Sequence, residues 1–169
     1  MPAVVPQYCG TKEGKRKFMK VILDTNILIN ALNDKASITW KILGLARTGD
    51  ARFFASYKII KEYELIINRE VKNEQDKNIL EKFISQVEVI KNTKYVKAVK
   101  WDPEDDKFIN TALSANADYI ISSDSHLLEL QEYENIKIVK PEDFYYIYKN
   151  QDDKDGQKEW LEIFGNIIK

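Results

Sequence analysis

The sequence predicts an α/β fold built on a mainly parallel central sheet of about five strands. Short apolar runs typical of strands alternate with stretches whose apolar residues recur every three to four positions, as in amphipathic helices. This alternation predicts βα units, in which each crossover helix returns the chain to a neighbouring parallel strand. With 169 residues, 44% hydrophobic and 31% charged, the composition suits one compact domain.

The predicted elements follow one another from the first apolar run. Ser37 and Ser56 stand where N-cap hydroxyls are expected, and Pro103 and Pro141 stand where helices begin. Strands are expected at residues 20–23, 51–55, 119–121 and 136–139, with short extended segments at 87–90 and 96–99. Helices are expected at residues 26–33, 37–46, 56–67, 78–87, 103–116, 125–130 and 141–148.

The two ends of the chain differ from the predicted domain, residues 19–149. Residues 1–18 contain prolines and glycines without periodicity and are expected to form a flexible leader. Met19 directly precedes the first strand, which leaves open whether the leader is native or an added extension. Residues 150–169 are expected to form a polar linker and a C-terminal amphipathic helix that docks on its own domain or on a partner.

Cysteine and histidine usage bounds the compartment and the kind of metal site. The single cysteine, Cys9, cannot form an internal disulfide, and together with the single histidine, His126, it cannot build a zinc cluster. No apolar run approaches the roughly 20 residues of a membrane span, and no secretion signal is visible. We therefore expect a cytoplasmic protein without membrane association.

The charge balance argues against a strongly basic nucleic-acid binder, because the net charge is -1. A local basic rim beside an active site is compatible with this net charge. Lysines at four positions of one segment either form such a rim or belong to a solvated surface: Lys91, Lys94, Lys97 and Lys100.

Acidic residues stand at the ends of predicted strands. Asp24 directly follows the apolar run 21–23, and Asp124 follows the run 119–121 after two serines. The carboxyl ends of parallel strands are where open α/β folds build their sites. Glu62 falls at the border between the buried and exposed sides of its helix, where it either enters a cleft or pairs with Lys58 or Lys61 on the surface.

The next acidic position is ambiguous, because Glu104, Asp105 and Asp106 are consecutive at a helix start, where acids also favour the helix dipole. Helical geometry places Asp105 near the centre of the apolar stripe and Asp106 at its edge. Asp105 is therefore the expected inward ligand and Asp106 the reserve. The stripe consists of Phe108, Ile109, Ala112 and Leu113.

Four converging carboxylates would repel one another and raise each other's pKa unless a cation lies between them. Oxygen ligands of this kind favour Mg²⁺ or Mn²⁺. Carboxylates, a hard metal ion and water together indicate metal-assisted phosphodiester hydrolysis.

Four segments resemble, in order, the motifs of PIN domains: residues 19–26 (MKVILDTN), 56–63 (SYKIIKEY), 102–108 (DPEDDKF) and 117–128 (ADYIISSDSHLL). More narrowly, residues 19–148 resemble the VapC-like branch described as toxins of type II toxin–antitoxin systems. The resemblance implies a three-layer α/β/α sandwich and, in many relatives, a Mg²⁺- or Mn²⁺-dependent ribonuclease. It also implies dimerisation and inhibition by a cognate antitoxin protein.

The resemblance assigns roles to individual residues. Asp24, Glu62, Asp105 and Asp124 match the acidic quartet of the family, and Asn26 and Ser122 match the polar residues that orient it. Ser122 stands where threonine is frequent and keeps the hydroxyl group. His126 stands where many relatives carry an acid, so it would either weaken a second metal site, contact phosphate or cap the short helix.

The function expected from these observations is a metal-dependent endoribonuclease that acts as a toxin. Asp24, Asp105 and Asp124 would hold the metal, and Glu62 would orient the attacking water. Two alternatives are a PIN-fold interaction module without catalysis and a structure-specific DNA nuclease.

Overall fold

A computed structural model describes residues 18–91 and 93–151 and shows an α/β/α sandwich around one sheet. The predicted flexible leader and the predicted C-terminal amphipathic helix lie almost wholly outside these ranges. The strands are β1 (Met19–Leu23), β2 (Ala51–Ser56), β3 (Glu88–Ile90), β4 (Tyr119–Ile121), β5 (Glu132–Tyr133) and β6 (Ile136–Val139).

The sheet has six strands in the order β3-β2-β1-β4-β6-β5, against the five or so that were predicted. Every pairing is parallel except that of β5 with β6. The additional strand is the two-residue β5, which turns back through Glu134 and Asn135, at φ 45° and 69°. Positive φ at both loop positions is typical of a type I′ turn, for which Asn-Gly rather than Glu-Asn is the usual sequence signal. The hairpin was therefore not apparent in the sequence.

The helices agree closely with the predicted order. Ser37 and Ser56 are N-caps, accepting hydrogen bonds from the backbone N–H groups of Trp40 and Ile59 at 3.2 and 3.4 Å. The helices are α1 (Thr25–Asn33), α2 (Ile38–Thr48), α3 (Tyr57–Glu70), α4 (Glu74–Ile84), α5 (Asp106–Ala115), α6 (Ser125–Leu128) and α7 (Pro141–Lys149), with a 3₁₀ turn at Pro103–Asp105 before α5.

Helix α4 begins four residues before its predicted start. The side chain of Asn73 accepts hydrogen bonds from the N–H groups of Gln75 and Asp76, so it caps the helix at that point. The predicted apolar stripe of this helix is also too wide, because Leu80 and Phe83 are buried whereas Ile79 is 37% exposed.

Both faces of the sheet are covered. Consecutive residues of a strand point to opposite faces, and Val21, Ile22 and Leu23 of β1 are all buried. Such continuous apolar runs are typical of a parallel sheet between two helical layers. None of the helices within the described ranges is long and apolar enough to span a bilayer.

The strand order determines where a site can form. Strand β1 lies between β2 and β4, so the chain leaves β1 toward one side and later returns to its other side. Open α/β sheets bind ligands at such a switch point, beyond the carboxyl ends of the strands. The backbone N–H of Asp24, just beyond β1, donates to the carbonyl oxygen of Ile121 at the end of β4, at 2.9 Å.

Candidate active site

Ser122 joins the two acids that follow β1 and β4. Its hydroxyl donates to Oδ2 of Asp24 at 2.6 Å, and its oxygen accepts from the backbone N–H of Asp124 at 2.9 Å. Ser122 is fully buried and Asp24 is only 5% exposed, so this connection is shielded from water. The serine that was expected to orient the acids therefore has a rigid contact with each of them.

Asp124 serves as the N-cap of α6. Its Oδ1 accepts hydrogen bonds from the backbone N–H groups of His126 and Leu127 at 2.8 and 3.4 Å. These bonds fix the carboxylate at the helix start. The ring atom Nδ1 of His126 lies 3.8 Å from the same oxygen, so this histidine borders the acidic site.

The electrostatic environment of Asp24 is that of a crowded acid. Burial raises the pKa of its carboxyl, and the charges of Asp124 and Glu62 raise this pKa further. The hydrogen bond from Ser122 and the backbone N–H of Asn26 act in the opposite direction but do not cancel the increase. An added cation would relieve the repulsion.

Glu62 is held by two partners that the sequence analysis did not identify. Its Oε1 accepts a hydrogen bond from Oγ1 of Thr25 at 2.5 Å, and its Oε2 lies 2.7 Å from Nζ of Lys107. The Lys107 side chain is only 9% exposed. The alternative in which Glu62 pairs with Lys58 or Lys61 on the surface is therefore wrong.

Asp105 lies at the end of the 3₁₀ turn and faces the other acids. Its pKa is raised to about 6, mainly by burial and then by the charges of Asp102, Asp124 and Asp24, while Lys107 lowers it. Asp105 thus belongs electrostatically to the same site as the two strand-end acids.

Asp106 has a different role. The prediction that Asp105 points inward and Asp106 lies at the edge of the buried face was wrong about burial. Asp106, not Asp105, is the buried residue, at 7% exposure. Its Oδ1 accepts from the backbone N–H groups of Ala98 and Val99 at 2.8 and 2.7 Å. Asp106 is buried because segment 94–99 packs over its side of α5, which the apolar stripe does not indicate.

Asp106 is one of three polar residues on α5 that bind the extended segment 94–99. Asn110 accepts from the N–H of Val96 at 2.6 Å, and Ser114 accepts from the N–H of Lys94 at 2.7 Å. Four helical residues advance about 6 Å, and two extended residues advance about 6.6 Å, so the spacings match. We call this set, Asp106, Asn110 and Ser114, the α5 clamp. It explains why residues 96–99, predicted as extended, join no strand of the described sheet.

Asn26, which was expected to orient the acids, has a less definite position than Ser122. Asn26 is exposed, and its side chain makes no hydrogen bond to another described residue; only its backbone N–H acts on Asp24. Thr25 and Lys107, which hold Glu62, were missed although each adjoins an acid that had been identified. An orienting role for the Asn26 side chain stays a prediction.

The donor set suits a hard divalent cation, because carboxylate oxygens predominate and neighbouring carboxylates raise the pKa of Asp24 and of Asp105. Within residues 18–91 and 93–151, no three acidic, histidine or cysteine side chains stand at ligand spacing. Binding of an ion would therefore require these side chains to draw closer by rotation.

The raised pKa of Asp105 leads to a prediction about stability and pH. The folded pKa of about 6 exceeds the ordinary value of 3.8, so the native state binds more protons between these values. The free energy of unfolding should therefore fall as the pH rises from 3.8 to about 6. Asp105→Asn removes this contribution and, without metal, should be more stable than wild type by about 1 kcal/mol at pH 7.5, allowing for solvent screening.

Urea unfolding of both proteins in EDTA, at about pH 4 and at pH 7.5, measures this difference. The two proteins should be nearly equal at the lower pH and diverge at the higher one. Parallel pH profiles would contradict the assigned environment of Asp105.

The fold and the acids define a class: an α/β/α protein with acidic residues beyond the strand ends at the switch point of a mainly parallel sheet. Residues 20–126 match the family described as PIN domain, and the chain belongs to this family. No match was found among curated proteins. Among solved structures, the chain resembles one from the crystal structure of VapBC2 from Rickettsia felis bound to a DNA fragment from their promoter. The match has 19% identity and a TM-score of 0.51, and covers 72% of this chain and 98% of that one.

Proposed function

We propose that this protein is a divalent-metal-dependent endoribonuclease and the toxin of a toxin–antitoxin pair. The observation that supports the reaction best is that neighbouring carboxylates raise the pKa of Asp24 and of Asp105, close to a Glu62 that is held by Thr25 and Lys107. Membership of the PIN-domain family supports a nuclease.

Asp24, Asp105 and Asp124 would hold the metal, Mg²⁺ or Mn²⁺. When bound, such an ion polarises a phosphate oxygen and makes water more acidic. Ser122 would keep the carboxylate of Asp24 in place, since its hydroxyl donates to one oxygen of that group. The N-cap bonds of Asp124 would limit its rotation in the same way.

Glu62 would orient the attacking water and accept its proton. Thr25 and Lys107 each bind one of its carboxylate oxygens, which fixes the plane of the group. Each oxygen keeps a further lone pair, so Glu62 can still accept a hydrogen bond from water. Lys107 would also place a positive charge beside the acids, where the substrate phosphate is expected to bind.

The biological setting follows from the relatives. The similar fold of a chain from the VapBC2 complex supports a cognate antitoxin as protein partner. A homodimer as the assembled form and the cytoplasm as the compartment are proposed from the resemblance to PIN-domain toxins alone. RNA is the proposed substrate.

The test is cleavage of a labelled RNA by the purified full-length chain, with Mn²⁺, with Mg²⁺ and with EDTA, beside a flapped DNA. We expect RNA to be cut with either metal and not with EDTA. Faster cleavage of the flapped DNA would favour a DNA nuclease. No cleavage with any metal, together with antitoxin binding, would favour an interaction module.

A further inference from the structure

A groove of about 410 Å³ adjoins the acidic site. Lys107 connects the two, because it lines the groove and its Nζ lies 2.7 Å from Glu62. The start of α3 forms one wall, with Tyr57 and Lys58, and the segment after β3 forms the other, with Tyr95 and Lys97. A ligand lying in this groove would therefore reach the acids.

The groove carries excess positive charge. Lys58 pairs with Glu104 at 3.1 Å, and Lys107 pairs with Glu62. Lys91 and Lys97 also line the groove, are exposed, and have no carboxylate partner within the described ranges. Asp106 also lines the groove, so its four lysines stand against the carboxylates of Glu104, Asp106 and the adjoining Glu62, and one positive charge remains in excess. This charge and the start of a 14-residue helix, which favours anions, suit a phosphate backbone.

The same groove presents two aromatic rings to solvent. Tyr57 is 56% exposed and Tyr95 is 80% exposed. Tyr95 and Lys97 alternate with residues 94, 96 and 98, whose N–H groups bind α5, so both side chains lie on one side of the extended segment. The α5 clamp thus fixes the backbone segment that carries this ring and this positive charge.

We propose that this groove binds an unpaired RNA strand, with nucleobases stacked on Tyr57 and Tyr95 and phosphates beside Lys91 and Lys97. Proteins bind single-stranded nucleic acids through positively charged grooves that contain exposed aromatic rings, because every base has a face on which such a ring can stack. In a duplex these faces are covered by neighbouring bases. The inference rests on the proposed ribonuclease function and names the form of RNA that the site takes.

The test measures binding without cleavage. Full-length protein carrying Asp24→Asn is titrated in EDTA into a labelled RNA of about 12 nucleotides, and anisotropy is recorded. Adding Tyr57→Ala or Tyr95→Ala should weaken binding about tenfold each, whereas Tyr57→Phe and Tyr95→Phe should retain it. Lys91→Gln and Lys97→Gln should each reduce the salt dependence by about 0.7 in log–log slope. Lys41→Gln, exposed on α2 outside the groove, is the matched control.

Two comparison ligands make the test specific. A strand of equal length without bases should bind the alanine variants and their parent equally, because it has nothing to stack. A duplex of the same sequence should bind more weakly than the single strand. The inference is overturned if the alanine variants bind RNA like their parent, or if the duplex binds as tightly.

The outcome is separable from that of the ribonuclease proposal, because binding is measured in a variant not expected to cleave. Wild-type cleavage combined with alanine variants that bind normally would remove the groove inference alone. Tyrosine-dependent binding without wild-type cleavage would support the groove and contradict the ribonuclease.

Discussion

Replacing Asp24 by asparagine should reduce metal-dependent RNA cleavage by roughly 10³-fold or more, since metal catalysis contributes several kcal/mol. The amide removes the negative charge but keeps an oxygen that can accept the hydrogen bond from Ser122. Burial and the neighbouring charges already raise the pKa of Asp24, so the neutral residue should be at least as stable without metal. The measurements are initial cleavage rates with Mn²⁺ and urea unfolding in EDTA.

Asp118→Asn provides the matched control for this experiment. Asp118 directly precedes β4, at the opposite edge of the sheet from the site, and its carboxylate accepts a hydrogen bond from the backbone N–H of Lys20 at 2.9 Å. The control should cleave RNA like wild type. Equal cleavage by the Asp24→Asn protein would indicate a contaminating nuclease or a different site.

Replacing Asp106 by alanine should lower the free energy of unfolding by about 3 kcal/mol, the largest effect on stability that we expect. The substitution leaves the N–H groups of Ala98 and Val99 without their acceptor, and each such loss in a buried position costs about 1–3 kcal/mol. Asp106→Asn keeps an acceptor oxygen and should cost about 1 kcal/mol. Urea unfolding at neutral pH measures both.

The neighbouring residue should show the opposite behaviour. Asp105→Ala should lose cleavage without any loss of stability, because its side chain makes no capping hydrogen bond at the start of α5 and its charge is unfavourable in the folded state. Loss of stability on replacing Asp105, with none on replacing Asp106, would reverse the roles assigned to the two acids.

The sequence predicted the fold well because the signals are local. Apolar triplets such as residues 21–23 indicate buried strands, and the serine before α3 is a clear N-cap. Topology then brings the ends of β1 and β4 together, so the proximity of Asp24 and Asp124 followed from their positions at strand ends.

The choice between Asp105 and Asp106 could not be derived from a helical stripe, since it depends on what covers the helix. Asp106 is buried because segment 94–99 crosses α5 and needs acceptors for its N–H groups. The sequence does contain a signal for this packing. Polar residues recur every four positions within an apolar helix, at Asp106, Asn110 and Ser114. The salt bridge between Glu62 and Lys107 likewise joins two helices that are far apart in the sequence, so no local pattern reveals it.

Diffraction from crystals grown with Mn²⁺, recorded at a wavelength where manganese scatters anomalously, tests the central claim most directly. We expect an anomalous peak about 2.0–2.2 Å from carboxylate oxygens of Asp24, Asp105 and Asp124, with Asp106 still bound to segment 94–99. A peak coordinated by Asp106, or no peak at the carboxyl edge of β1 and β4, would contradict it.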